Sequence, residues 1–466
     1  MGSREARASG MACQRFRSED SKTSRQMDII SQLEGVPHVL EQIFLYLDIE
    51  ECVKVSTTWK RLITSLNLWK CVWKNNMRMS STWKALSVRM EHLRPQLSHR
   101  MRENSYQEAC QYVKGNIHEI SQSAMKDLHF QALADEDGNL NNEARLIRMN
   151  EKYVFIGVDS KVVIVNRWTR KLVKDLDCRF GYVRDMQLNE RFIVVQLYDQ
   201  TVGNYQIDVY DVQKLVHIQT LETNNTNHWK FGTKFALGSH AVFISGMSMQ
   251  LDDLMFHIHR WNPSTARFVR DTQTEHKLQV TSVDYLFSYP CFYVDEKYLI
   301  VDFYITECEV RLFQVYSLAT MQLVRERQFI DDGAIDYSIR HEYHDGAIVV
   351  PTCTADGQPC VALWDVDKDT VQPMADHPSQ FSFSFAMTHH PFQIVIKKIE
   401  NPQQLLLVQR GRPTRNSVIA MPSQCCVHLD LDSFRTHFYF DGLQMIAKSR
   451  DSSNARYGIV MADLVG

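Results

Sequence analysis

The run His341-Glu342-Tyr343-His344 comes nearest to a catalytic motif. It is one residue short of the His-Glu-x-x-His pattern, in which two imidazoles four apart on a helix hold zinc beside a glutamate base. At the shorter spacing that ligation fails. His257 and His259 alternate, so a strand would put both imidazoles on one face, where two such rings could share a metal. No cysteine or carboxylate completes the set, and packed or solvated histidines explain the pair more simply. Asp252-Asp253 and Asp331-Asp332 lie in polar stretches and read as solvated turns rather than as an acid–base pair. No phosphate-cradling glycine motif occurs; the 18 glycines are spread through turns. None of the 11 cysteines forms a Cys-x-x-Cys pair, which points to reduced thiols in cytosol or nucleus rather than to zinc or a disulfide framework. Catalysis has weak support, and we expect a non-enzymatic chain with no cofactor and no metal.

The elements around these residues say more. At 466 residues the chain has room for two or three domains, and 44% hydrophobic with 23% charged residues is a globular profile. A net charge of −3 argues against a nucleic-acid partner held by electrostatics. No apolar run approaches a membrane span, and the polar N-terminus lacks an apolar signal core. Residues 1–28 are polar and aperiodic, and disorder is expected there.

Residues 29–75 change character. Pro37 suits a first helical position, and Val39, Leu40, Ile43, Phe44 and Leu47 recur at helical spacing. Asp48 with Glu51 forms a capping box, predicting a second helix that aligns Ile49, Cys52, Val53, Ser56, Trp59, Leu62 and Ile63. Asn67 can cap a third helix carrying Leu68, Trp69, Val72 and Trp73. Three helices this short cannot bury their own apolar faces, so they need a partner.

This segment resembles an F-box. Val36-Pro37, Val39-Leu40, Ile43-Phe44, Tyr46-Leu47, Trp59 and Leu68-Trp69 match the family pattern in order, over about a tenth of the chain. The Leu47-to-Trp59 connection is about three residues shorter than the family's usual one. The resemblance implies docking to the Skp adaptor of cullin-based ubiquitin ligases through Val36, Pro37, Leu40, Ile43, Phe44, Leu47, Trp59, Leu68 and Trp69. An ordinary helical cap on a larger domain is the competing reading.

Helical spacing persists over residues 76–125, through Trp83, Leu86, Met90, Leu93 and Leu97, with Pro95 as a break, then through Tyr106, Ala109, Cys110 and Val113. From residue 126 to 466 the period falls to two and a repeat emerges. Apolar residue, short polar turn and strand-forming run recur from Met149, Leu188, Leu237, Val294, Tyr343, Met387 and Phe440. A second strand signal ends at Val165, Val209, Ile258, Val315, Leu363 and Met461, with the sixth match displaced to Leu429 by an expected insertion at 400–424. A period of 40 to 50 residues with several strands per unit predicts a propeller of seven blades. Too little chain follows Met461 for a fourth strand, so Leu128-His129-Phe130-Gln131-Ala132 is predicted to close the ring. An unrelated seven-bladed fold or a pair of β-sandwiches are the rivals.

Leu363-Trp364-Asp365 and Val209-Tyr210-Asp211 resemble the end of a WD repeat, although the family's Gly-His dipeptide is missing, which puts its hydrogen-bond network in question. The fold class is thus α plus all-β multidomain: small F-box-like and linker helices before a WD-like propeller. That order resembles the F-box/WD substrate receptors, which implies a Skp adaptor and cullin at one end and a protein substrate, phosphorylated or not, at the other. An interaction scaffold without ubiquitin transfer is the alternative. By the same resemblance, Arg184 in Val183-Arg184-Asp185-Met186 is the candidate for the substrate side, although an ordinary surface arginine would look the same. Arg410, Arg412 and Arg415 form a basic loop that could also meet an anion.

Overall fold

The computed structural model describes residues 36, 38–40, 43, 49–79, 81–102, 106–122, 130–132, 144–178, 180–221, 234–247, 254–271, 276–278, 291–305, 310–330, 343–344, 346–353, 359–375, 386–387, 393–397, 404–409, 416–420, 438–440, 444–450 and 457–463. The chain divides into two compact units, residues 1–74 and 75–466.

In the first unit, residues 38–40 and 43 are helical, and the Val39 and Leu40 amides return to the Val36 carbonyl at 3.0 and 3.3 Å. The second helix differs from the sequence expectation. It is two helices, Ile49–Val55 and Thr57–Ser65, packed on each other. Ser56 between them is extended, at φ −158° and ψ 159°, and its hydroxyl accepts from the Trp59 amide at 3.1 Å. A serine gains more from capping a helix than from sitting inside one, so the apolar spacing runs on while the helix does not. Asn67 then adopts a left-handed φ of 50°, which asparagine tolerates, and the Leu68–Met79 helix begins at the next residue.

The second unit opens with three mutually packed helices, Ser81–Leu93, Pro95–Arg102 and Tyr106–Gln122. Pro95 breaks the helical run by starting a new helix, where its missing N–H costs nothing. Trp83, Leu86, Met90, Ala109, Cys110 and Val113 are buried, whereas Leu93 is exposed. Buried Arg89 donates to Asn116 Oδ1 at 2.8 Å, joining the first and third of these helices. Lys84 pairs with Glu190, tying the helices to the sheets.

Among the described residues the remaining strands form seven antiparallel sheets. The first runs Ala144–Met149, Tyr153–Val158, Lys161–Asn166, Leu172–Asp177; the second Tyr182–Leu188, Phe192–Asp199, Asn204–Asp211, Val216–Leu221. The third is Lys234–Leu237, Ala241–Met247, Leu254–Asn262, Arg267–Arg270, with His276–Leu278 also pairing the long third strand. The fourth is Cys291–Val294, Tyr298–Ile305, Val310–Ser317, Leu323–Ile330; the fifth Tyr343–His344, Ala347–Cys353, Pro359–Asp365, Thr370–Ala375. The sixth is Ala386–Met387, Gln393–Lys397, Gln404–Gln409, Asn416–Ala420. The seventh joins Phe438–Phe440, Gln444–Arg450 and Tyr457–Asp463 to Phe130–Ala132, whose Phe130 faces Ala462 and Ala132 faces Val460. One strand from upstream thus completes the last sheet.

The sixth sheet corrects the expected insertion. Residues 404–409 and 416–420 are its third and fourth strands, and Val408 lies 21 residues after Met387, the interval seen from Leu188 to Val209. Leu405-Leu406-Leu407-Val408 supplies the apolar run that Leu429 was expected to supply. Leu429 lies outside the described residues.

First strands of successive sheets lie against one another: Tyr182–Leu188 touches both Ala144–Met149 and Lys234–Leu237, and Phe438–Phe440 touches Ala144–Met149 and Ala386–Met387. The core lies in layers between sheets. Phe155, Ile164, Met186 and Val195 fill the layer between the first and second; Phe192, Val209, Phe235 and Val242 that between the second and third. Four-stranded sheets stacked on both faces in this way are the build of propeller blades.

Side chains hold the turns of these sheets. After the third strands, Asn166 Oδ1 accepts from the Trp168 and Thr169 amides at 3.0 and 2.9 Å, and Asp211 Oδ1 from Gln213 and Lys214 at 2.8 and 2.7 Å. The residue four beyond that turn position is left-handed in five sheets, at Arg170, Leu215, Ala266, Met321 and Asp369. Such turns favour glycine, and this chain uses none there.

Candidate binding surfaces

The helical unit places its expected docking residues at two depths. Leu40, Leu68 and Trp69 are buried within the chain, together with Leu62 and Ile63. Val36, Ile43 and Trp59 are half-buried and keep part of their apolar surface in water. Pro37, Phe44 and Leu47 lie outside the described residues.

Arg184 stands on the first strand of the second sheet at an irregularity that its sequence did not announce. Val183 faces Leu197 and Asp185 faces Gln196, so Arg184 is an extra residue left out of the ladder. A bulge of this kind re-aims a side chain. Arg184 is exposed and has no ion pair or hydrogen bond among the described residues. The strand beside it repeats the device: Ala144 faces Val158, Leu146 faces Gly157, and Arg145 is the extra residue. Arg145 precedes Met149 by the interval at which Arg184 precedes Leu188. The corresponding Thr233, Pro290, Ile339 and Thr436 lie outside the described residues, as do Arg410, Arg412 and Arg415.

The other chemical candidates resolve into structure. His257 and His259 do share a face of the Leu254–Asn262 strand, and both are buried. Arg270 Nη2 donates to His257 Nδ1 at 2.6 Å, which engages that ring nitrogen and sets a cation beside the pair. Burial, then the Arg270 and His257 charges, push His259 down to about 4, so its ring stays neutral. Its Nε2 has no hydrogen-bond partner among the described residues. No group of three His, Cys, Asp or Glu among those residues could hold a metal ion. Burial pushes the Cys178 thiol up to about 11, against the lowering hydrogen bond to Tyr210, and keeps it protonated. His341, Glu342, Asp252, Asp253, Asp331 and Asp332 lie outside the described residues, and no described helix is long and apolar enough to cross a membrane.

Sequence reasoning missed the buried polar contacts. Asp302 and Arg311 pair at 3.2 Å, nearly free of solvent, with the Tyr293 hydroxyl 3.5 Å from the same carboxylate. Asp208 accepts from Gln206 and Thr220 at 2.8 and 2.7 Å. A signal existed in each case, an acid inside an apolar run: Tyr298-Leu299-Ile300-Val301-Asp302 and Ile207-Asp208-Val209. Arg167 and Gln444 had no such signal. Arg167 Nε donates to Gln444 Oε1 at 2.7 Å and its Nη1 to the Asn150 carbonyl at 2.7 Å, joining the first sheet to the seventh.

No family model matches the chain, and no curated protein matches it. Solved structures do. U3-55K superposes with a TM-score of 0.44 at 12% identity, over 72% of this chain and 98% of that one. The β-propeller domain of Myceliophteria thermophila Cps50 (Swd1) gives 0.44 at 10% identity, over 69% and 98%. A chain of the mitotic checkpoint complex gives 0.41 at 13% identity, over 71% and 90%. At such scores the architecture rests on this chain's own sheets and pairings.

Proposed function

We propose that this chain is the substrate-recognition subunit of a Skp adaptor–cullin–F-box ubiquitin ligase, with an F-box at residues 29–75 and a seven-bladed WD-like propeller that holds the substrate. The observation that carries the reading is the segment 36–69. It carries the residues of the F-box pattern in order, with Val36, Ile43 and Trp59 half-buried and Leu40, Leu62, Ile63, Leu68 and Trp69 buried. Apolar side chains left partly in water on a small helical unit favour a protein partner. The closing strand Phe130–Ala132 and the adjoining first strands support a ring of seven blades. Bulged Arg184 favours an end of that ring for the substrate.

Such a protein works by proximity. The propeller holds a substrate, the F-box holds the ligase, and the effective concentration of substrate lysines near charged ubiquitin rises. No side chain of this chain then carries out a reaction, and cytosol or nucleus is the expected compartment. Capture of purified Skp adaptor on the immobilised full chain tests the reading. Adaptor should be retained, and the double replacement of Ile43 and Phe44 by alanine should abolish retention in a chain that still melts cooperatively. Equal retention by both proteins would defeat it. The scaffold alternative draws on the helix break at Ser56 and the short Leu47–Trp59 connection, and it predicts an adaptor-bound chain that never recruits cullin.

A further inference from the structure

We infer that Lys84 and Glu190 form a latch that holds the three-helix body of residues 81–122 in one direction against the sheets, and that opening it lets the body swing on the chain leading to Phe130–Ala132. The inference goes beyond the ligase reading and does not rest on it.

The three helices move as one piece. They pack on one another, and buried Arg89 donates to Asn116 Oδ1 at 2.8 Å while Asn116 Nδ2 donates to the Tyr112 carbonyl at 2.6 Å. Across the Pro95 break the backbone stays bonded, from the Arg94 amide to the Met90 carbonyl at 2.8 Å and from the Ser98 amide to the Arg94 carbonyl at 3.2 Å. The last helix ends at Gln122, and residues 123–129 lead to the strand that completes the seventh sheet. Such a link limits distance, to roughly 25 Å of extended chain, but leaves direction open.

The second attachment supplies the direction. Glu190 stands in the turn between Tyr182–Leu188 and Phe192–Asp199, and the second and seventh sheets flank the first. That turn is pinned on two sides. Asn189 Oδ1 accepts from the Arg191 and Phe192 amides at 2.8 and 2.7 Å, its Nδ2 donates to the Gly238 carbonyl of the third sheet at 2.8 Å, and the Arg191 guanidinium lies over the Trp261 ring at 4.4 Å. An acid on so firmly held a turn is a fixed point for a lysine. Lys84 follows buried Trp83 and is only 27% exposed, so its ammonium is less screened than one standing free in water. Lys54–Glu51, Lys161–Asp175 and Lys368–Asp365 each stay within one helix, hairpin or turn, whereas Lys84–Glu190 joins two bodies. Glu190 is 76% exposed, which keeps the pair weak enough to open. In sequence the helical body lies between residues 36–69 and the sheets. In the proposed function a closed latch would therefore give one reach from ligase to substrate, and an open latch several.

Spin labels carried on an unnatural amino acid at exposed Gln111 and Thr265 of the full chain test this, since they report the distance from the body to the third sheet and leave the native cysteines alone. The parent should give one narrow distribution. Lys84→Glu and Glu190→Lys should each raise the displaced fraction by up to about fivefold, the range of a single exposed ion pair, with the melting temperature unchanged. The two substitutions together restore the pair with its charges exchanged, and they should restore the narrow distribution, which a mere loss of packing would not allow. Salt at about 1 M, where the screening length falls to about 3 Å, should broaden the parent and leave Lys84→Glu as it was. A parent already as broad as the variants, a distribution that Lys84→Glu leaves unchanged, or a double variant that stays broad would overturn the inference. No adaptor or cullin enters the measurement, so its failure is separate from that of the ligase reading.

Discussion

Arg167 is only 1% exposed, so a full charge sits where water cannot solvate it. Its partners decide whether that is tolerable: the Gln444 side chain and the Asn150 carbonyl, each at 2.7 Å, satisfy the guanidinium, and the Trp168 ring lies under it at 4.4 Å. Removing the cation would take away both bonds, the buried one to Gln444 and the part-buried one to Asn150. We expect Arg167→Ala to lower unfolding free energy by about 3 kcal/mol in urea titrations, well above a surface arginine such as Arg184. His259 makes an opposite prediction about charge. Its folded value, about 4, lies below the ordinary 6.5, so the unfolded chain takes up a proton first as pH falls. The stability it contributes is present above pH 6.5 and is lost as pH falls toward 4. Between pH 7 and pH 5 the loss should be roughly 2 kcal/mol, and it should vanish in His259→Phe, measured by denaturation at each pH.

Hairpins are the element in which this chain's sequence speaks most clearly. Asn150, Asn189 and Asp295 each accept two backbone amides in the first turn of their sheets, as with Asn189 and the Arg191 and Phe192 amides at 2.8 and 2.7 Å, and the β-branched runs beside them permit little but strand. The left-handed residue of the later turn is a soft spot. Ala266 holds φ 51° on the exposed side of its sheet, and Ala266→Gly should raise stability by about 0.5–1 kcal/mol by relieving that strain, whereas Ala266→Val should lower it, both seen as melting shifts. Two elements depart from the sequence pattern for a physical reason. Apolar spacing carries through Ser56 although its hydroxyl ends one helix and caps the next. The polar stretch Gln409-Arg410-Gly411-Arg412-Pro413 looks like the edge of an insertion although strands flank it. The position of Arg184 could be read from the strand around it; the bulge and the matching Arg145 depend on register, which a single strand's sequence does not encode.

Across the whole chain, the decisive contacts join residues far apart. Phe130–Ala132 pairs with Tyr457–Asp463, and Arg167 meets Gln444, so the first and last parts of the β unit are held together by both backbone and side chain. The upstream strand covers the edge that Tyr457–Asp463 would otherwise expose. In the proposed function the sheets would serve as the platform for a substrate, while Val36, Ile43 and Trp59 of the short helices keep part of their apolar surface in water. Those two properties together are what a two-ended adaptor requires. The direct measurement is size-exclusion chromatography of the full chain mixed with Skp adaptor and cullin, with the eluted species weighed by light scattering. The account predicts a single complex of all three, lost when Ile43 and Phe44 are replaced by alanine. A folded full chain that elutes apart from the adaptor, or with the adaptor but never with cullin, would contradict it.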